Sequence, residues 1–212
     1  MQLLLTDRLT CPRCGPTFGL ILLAHRLEVR RVQEGVLGCP NCRDSFPIAA
    51  GFADLRAPPR DELEAGLAGT TLESDDAKAE RAIALLGIPG GPGTVALVGG
   101  PARFAGRLAA EVDGLEVVAV DADARAWPDR AGVSRLVSGP GLSFFGRTLR
   151  GVVVDGRLDR AMLFESARVT APLSRVVVLD APGHATEILR EAGLEILAAE
   201  GETVVAARKA GR

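Results

Sequence analysis

The four cysteines of the chain fall in two C-x-x-C pairs, Cys11-Pro-Arg-Cys14 and Cys39-Pro-Asn-Cys42. Each pair sits among Pro and Gly where the chain must turn tightly, so two sulfurs from each knuckle can converge on one tetrahedral ion. Four thiolates leave no open coordination position, which suits structural zinc on Cys11, Cys14, Cys39 and Cys42. The competing chemistry of a C-x-x-C is thiol–disulfide exchange, but there are two knuckles here and no strand-helix-strand pattern around either. A second constellation lies in Thr94–Asp121, where an apolar run breaks at Gly99-Gly100-Pro101. An amphipathic segment carrying Phe104, Leu108 and Val112 follows, then a second apolar run and Asp121. That is strand, glycine turn, helix, strand and acid, a layout that offers helix N-terminal N–H groups to a ligand and a carboxylate to ribose hydroxyls. Gly99, Gly100 and Asp121 are therefore candidate cofactor-binding residues, against the alternative of a plain tight turn in an α/β sheet. Asp155 closes the run Gly151–Val154 where ligands gather in such sheets; it orients an acceptor or donor group, or else caps the next helix. Asp180 is placed the same way, before Pro182-Gly183. With His25 and His184 the only histidines and no tyrosine, nucleophilic triads have nothing to build on.

The elements that must position these residues follow from the apolar pattern. Residues 1–56 read as a small ribbon in which residues 15–38 form a hairpin between the knuckles, with Leu27 to Val32 alternating, a turn at Glu34-Gly35 and a return through Val36-Leu37. So small a unit has little core and needs a metal staple, and Phe18, Phe46 and Ile48 need a neighbour to pack on. Residues 57–93 read as a connector: a short helix over Arg60–Leu67, caps at Thr70-Thr71 and Ser74–Asp76, a helix over Asp76–Leu86, and a Gly/Pro stop. Residues 94–212 alternate strand and helix: strands at Val133–Ser138, Gly151–Asp155 and Arg175–Asp180, helices at Leu158–Val169 and His184–Ala192, and a terminal hairpin pairing Leu194–Ala199 with Glu202–Ala207. Uninterrupted valine runs imply strands buried on both faces. The expected class is α/β, a Rossmann-like, mainly parallel sheet closed by an antiparallel hairpin and preceded by the ribbon.

Composition sets the bounds. The chain has 212 residues, 47% of them hydrophobic, and a formal charge of −2, which argues against a nonspecific nucleic-acid coat. No DNA partner is expected. All but Lys78 and Lys209 of the 25 basic residues are arginine, which suits specific phosphate or carboxylate contacts. The apolar stretch Phe18–Ala24 is well short of the ~20 residues a bilayer requires, so no membrane association and a cytoplasmic location are expected.

LLLTDRLTCPRCG followed by EGVLGCPNCRDSFPIAAGFADLR resembles the small zinc-ribbon family that activates tRNA, ribosomal RNA and release-factor methyltransferases. The likeness rests on the second knuckle, then Phe46-Pro47-Ile48, then Gly51. The resemblance implies a ribbon that packs on a methyltransferase. Residues 94–208 are similar to the class I S-adenosylmethionine-dependent methyltransferases. They match in the order of elements and in the run LFESARVTAPLSRVVVLDAPG, which places Glu165, Arg168, Val169, Pro172 and Val176–Val178 on the family's pattern. The resemblance implies that Gly99 and Gly100 hold the donor S-adenosylmethionine and that Asp121 takes its ribose. The chain departs from the pattern at Leu97, where the first motif has an acid, at the shortened loop through Pro101, at Ser138 and at Arg150. Two readings follow: a methyltransferase working by proximity and orientation, or a catalytically degenerate methyltransferase-like domain that binds a partner protein or RNA. In the second, the basic hairpin residues Arg26, Arg30 and Arg31 would form a docking face.

Overall fold

The valine runs lie at the centre of one 11-stranded sheet in a computed structural model that describes residues 1–63 and 76–209. A 3-10 turn over Leu3–Arg8 precedes a small pair, β1 (Thr10–Cys11) and β2 (Gly15–Gly19), then an antiparallel meander of β3 (Ile21–Glu28), β4 (Arg31–Gly38), β5 (Ser45–Ala49) and β6 (Phe52–Arg56). Helix α1 (Asp76–Leu86) leads into β7 (Gly93–Val98), α2 (Ala105–Glu111), β8 (Leu115–Val120), β9 (Val133–Gly139) and β10 (Leu149–Asp155). The chain finishes with α3 (Arg160–Val169), β11 (Thr170–Leu179), α4 (Ala185–Glu191), β12 (Glu195–Glu200) and β13 (Thr203–Ala207). The spatial order is β12-β13-β11-β10-β7-β8-β9-β6-β5-β4-β3. β9, β8, β7, β10 and β11 are mutually parallel, and β13 and β12 close one end antiparallel. This is the α/β architecture expected from the valine runs and the terminal hairpin.

The ribbon is not a separate bead. β6 pairs in parallel with β9, from Phe52 opposite Arg135 to Arg56 opposite Gly139, so the meander continues the central sheet. One core runs along one face of both regions, from Leu5, Leu37, Phe46 and Ile48 through Leu136 and Phe144 to Leu163 and Ile188 under α3 and α4. The opposite face packs Ala79, Ala82 and Leu86 of α1 and Leu108 of α2 on Val95, Val117, Val153 and Val177. Phe46 and Ile48 are buried as their need for a neighbour requires, whereas Phe18 keeps 38% of its surface. A polar clasp fixes the join. Arg31 grips Asp129 with Nε, at 3.1 Å, and with Nη2, and donates to the Val133 carbonyl at 2.7 Å, while Gln33 donates to Asp129 at 3.2 Å. Arg135, 4% exposed, donates to the carbonyls of Ala124, Trp127 and, at 2.6 Å, Ala50 of the ribbon. Guanidiniums this deep are tolerable because carbonyls and a carboxylate replace most of their water, leaving Arg31 Nη1 and Arg135 Nε without a partner among the described residues.

The hairpin turns at Val29-Arg30, not at Glu34-Gly35 as the sequence predicts. Both turn residues take positive φ, 45° and 62°, the left-handed two-residue geometry that matches the twist of paired strands. β4 runs straight through Glu34-Gly35; Gly35 lies beside an irregularity in β3, and a Cβ there would come 2.8 Å from the Leu23 carbonyl. That glycine serves a close strand approach, not a turn. Of the helix expected over 60–67, Arg60–Leu63 are irregular and the rest lies outside the described residues, as do the caps expected at 70–75. Asp159 caps α3 by accepting from the Met162 N–H at 2.8 Å, which starts that helix at Arg160.

Candidate metal centre and ligand crevice

One knuckle precedes β3 and the other follows β4, so both reach the open end of the hairpin, where Ile21 pairs with Gly38, and the four sulfurs come together: all lie within 4.8 Å of one another. Cys11 and Cys42 are 3.6 Å apart, and Cys39 and Cys14 are 3.8 Å apart. A tetrahedral zinc with Zn–S bonds of about 2.3 Å spaces its sulfurs roughly 3.8 Å apart, so the donor set fits that ion without rearrangement. Second contacts orient it: Asn41 Nδ2 donates to Cys14 Sγ at 3.2 Å, and the Cys14 N–H to Cys11 Sγ at 3.4 Å. Cys11 and Cys39 are buried and take part in the continuous core, so the metal site and the hydrophobic core share residues.

The second set of candidates gathers at the carboxyl ends of the parallel strands. Gly99 ends β7, Asp121 ends β8 and Asp155 ends β10, flanking the point where chain order reverses around β7. Gly99 has a φ of 71°, and the chain leaves it as a 3-10 turn over Gly100–Phe104 before α2 begins. The turn's amides are engaged internally. Gly99 N–H donates to the Val120 carbonyl at 3.0 Å, Gly100 N–H to Asp155 at 3.3 Å and Ala102 N–H to the Gly99 carbonyl at 2.8 Å, while Pro101 has none. A Cβ at Gly100 would meet Asp155 Oδ2 at 2.9 Å and Arg157 Nη2 at 3.2 Å, so those side chains fill the space over the turn.

Asp155, 5% exposed, accepts from the Arg157 N–H, Nε and Nη2 at 2.9, 2.9 and 2.6 Å. Burial pushes its carboxyl up, but the Arg157 hydrogen bonds outweigh that and hold it below the usual carboxylate range. Arg157 also reaches Asp180 at 3.7 Å, and Lys78 of α1 binds Asp180 at 2.6 Å, giving an alternating chain of two cations and two anions. Asp180 thus pairs with cations and caps no helix. Asp121 differs. It is half-buried, and Oδ1 accepts the Asp123 N–H at 2.8 Å. Burial, with the charges of Asp123 and Asp155 adding, raises its carboxyl above the ordinary range. A ligand presenting hydroxyls or positive charge would relieve it. The Asp121 end therefore suits a ligand that presents hydroxyls, such as a nucleoside ribose, whereas the turn is covered by Arg157 and its amides are engaged.

Beside the crevice, a cleft of about 370 Å³ opens where the ribbon meets the turn after β8, lined by Phe52, Asp54, Arg56, Arg60 and Arg125 among others. Ser138, where the family pattern has an acid, is tied to the Gly141 carbonyl and to Ser143 at 2.7 and 2.9 Å. Sequence reasoning missed Arg157 and Lys78. The signal for the first was present as Asp-Gly-Arg at a strand end, but nothing local announces a lysine from a preceding helix.

No family model and no curated protein sequence matches the chain. Solved structures do. A chain from the complex between the Haloferax volcanii Trm112 methyltransferase activator and a putative methyltransferase aligns with TM-score 0.51 and 18% identity over 71% of this chain and 99% of that one. Precorrin-6y C5,15-methyltransferase from Geobacter metallireducens GS-15 gives 0.53 and 12% over 66% and 93%. A geranyl diphosphate methyltransferase in complex with SAM gives 0.52 and 13% over 62% and 84%. At these identities the likeness is one of fold: the chain has a Rossmann-like methyltransferase fold, with four cysteines positioned near its start to hold a metal ion.

Proposed function

We propose that this chain is a methyltransferase-like protein carrying its zinc ribbon as a built-in partner module, with the ribbon over 1–56, a connector over 57–93 and the α/β unit over 94–212. On this reading it is cytoplasmic, holds one structural zinc, and binds S-adenosylmethionine weakly at Gly99, Gly100 and Asp121 to methylate an acceptor seated in the neighbouring cleft. The observation that carries the reading is Asp121, a half-buried carboxylate with a raised pKa beside the strand-order reversal, one oxygen engaged by Asp123. When bound, S-adenosylmethionine supplies the electrophilic methyl group. The chain's own part is to position it, with Asp121 holding the ribose and Asp155 orienting the donor group beside Gly100. Losing two family contacts at about 1.4 kcal/mol each lowers a micromolar affinity roughly a hundredfold, to the order of 0.1 mM. Calorimetry with S-adenosylmethionine and S-adenosylhomocysteine tests this. Weak heat that disappears in Asp121→Ala is expected, and no heat at millimolar ligand would sink it.

A second reading is favoured by the Arg157–Asp155 pair over Gly100 and by the internally bonded amides of the turn. It makes the α/β unit catalytically degenerate, a scaffold that presents the ribbon to a partner protein or RNA. Absence of nucleoside binding in the same titration favours it.

A further inference from the structure

Between α2 and the segment Trp127–Val133 lies a cavity of about 90 Å³ whose walls include Arg103, Gly106, Arg107, Trp127, Arg130 and Arg135 and no carboxylate. At about 30 Å³ of liquid volume per water, it has room for a small polyatomic anion. It is too small for a nucleoside, which needs a pocket of about 300 Å³ or more. Its four cations are unequally compensated. Arg107 is fully engaged, with Glu80 and Glu111 each at 2.6 Å and Asp76 at 2.9 Å. Arg103 has a long contact to Asp123 at 3.9 Å and feels the charge of Asp121, with no closer ion-pair partner among the described residues. The Arg130 side chain has no hydrogen-bond or ion-pair partner among the described residues. Among the described residues, Arg135 is buried, donates only to carbonyls, and leaves its Nε without a partner. Burial works against its charge, and Asp129 is already gripped by Arg31 and Gln33. Room for Arg130 is made by Gly106, where a Cβ would fall 2.5 Å from Nη1 and 3.1 Å from Cδ. Any side chain at 106 would close that approach, so the glycine is what lets the Arg130 guanidinium come against α2.

We infer that this cavity binds a phosphate-sized oxyanion, free or as the terminal phosphate monoester of a small ligand, held by the forks of Arg130 and Arg103 and the unpaired Nε of Arg135 against the Trp127 wall. A planar fork meets a tetrahedral oxyanion with two parallel hydrogen bonds, which chloride cannot reproduce. The inference does not depend on a nucleoside in the Asp121 crevice.

Calorimetry of the full chain at fixed ionic strength, with inorganic phosphate, adenosine monophosphate and adenosine as titrants, tests it. Phosphate-dependent heat is expected in the native chain, about tenfold weaker in Arg130→Gln, with Arg130→Lys intermediate. Arg130 is exposed, so both variants should fold, which circular dichroism verifies. Adenosine monophosphate binding more tightly than phosphate, and losing that advantage in Arg130→Gln, assigns the monoester as the source; phosphate alone assigns the free anion. No heat from either phosphate or the monophosphate, or equal affinity in Arg130→Gln, overturns the site.

Discussion

Arg157 lies across Gly100 because Asp155 holds it there: the two share contacts at 2.9 and 2.6 Å, and the carboxylate's second tie is to the Gly100 N–H. The cation therefore covers the part of the glycine turn that a ligand would approach. A cationic sulfonium would be repelled by Arg157 and attracted by an uncovered Asp155. We expect Arg157→Ala to tighten S-adenosylmethionine binding severalfold and leave neutral adenosine unchanged, read by calorimetry. The effect is capped because Arg157 is 68% exposed and such pairs are worth about 1 kcal/mol or less.

Metal removal should reach beyond the ribbon. Cys11 and Cys39 sit in the core that continues to Leu136 and Phe144, and β6 is hydrogen-bonded to β9. A strong chelator, or Cys39→Ser, should lower the whole thermal transition without producing a separate early step. Elemental analysis of the native chain should return one zinc. A separate ribbon transition below an unchanged second one would contradict the shared core.

The clasp between ribbon and sheet gives a pH dependence of known sign. Burial pushes the Asp129 carboxyl up, but hydrogen bonds from Arg31 and Gln33 outweigh it and hold the group below its ordinary range. A carboxyl depressed on folding contributes fully above the unfolded value of about 3.9 and loses its contribution as pH falls through the folded value. Asp121 and Glu116 are raised by burial and slope the other way, so the readout is a difference between variants. Asp129→Asn should cost about 1–3 kcal/mol at pH 7 in urea unfolding, discounted because Asp129 is 35% exposed. The deficit should shrink below pH 4.

Between β9 and β10 the chain crosses without a helix, and Phe144, fully buried, fills the space while bridging to Leu9. Phe144→Ala should cost about 3–5 kcal/mol and loosen the ribbon as well as the sheet. Hydrogen exchange that quickens at Leu9 and Thr10 together with β10 would be the signature.

The valine runs and the knuckles were legible because their signals are local: period, apolarity and cysteine spacing over a few residues. The turn at Val29-Arg30 was not, since neither residue favours positive φ and Glu34-Gly35 offered a more conventional turn. The β6–β9 join was also hidden. Parallel pairing across so long a separation leaves no mark on FADLR or VSRLVSG beyond ordinary strand character. At the crevice, the types of Gly99, Gly100, Asp121 and Asp155 could be read, but not the engagement of the turn's amides, which depends on where Asp155 and Val120 arrive in space.

Because β6 waits for β9, the order of synthesis matters. At about 5–20 residues per second, the ribosome needs roughly 4–17 s to go from the end of β6 to the end of β9. Through that interval a nascent ribbon has two unpaired borders, β3 with Ile21 and Leu23 more than 60% exposed and β6 with no neighbour on its far side. Zinc captured by the knuckles during that wait would hold the meander in register until its partner strand emerges. Zinc-starved cells would then accumulate this chain as aggregates formed during translation, while molecules completed before starvation remain folded.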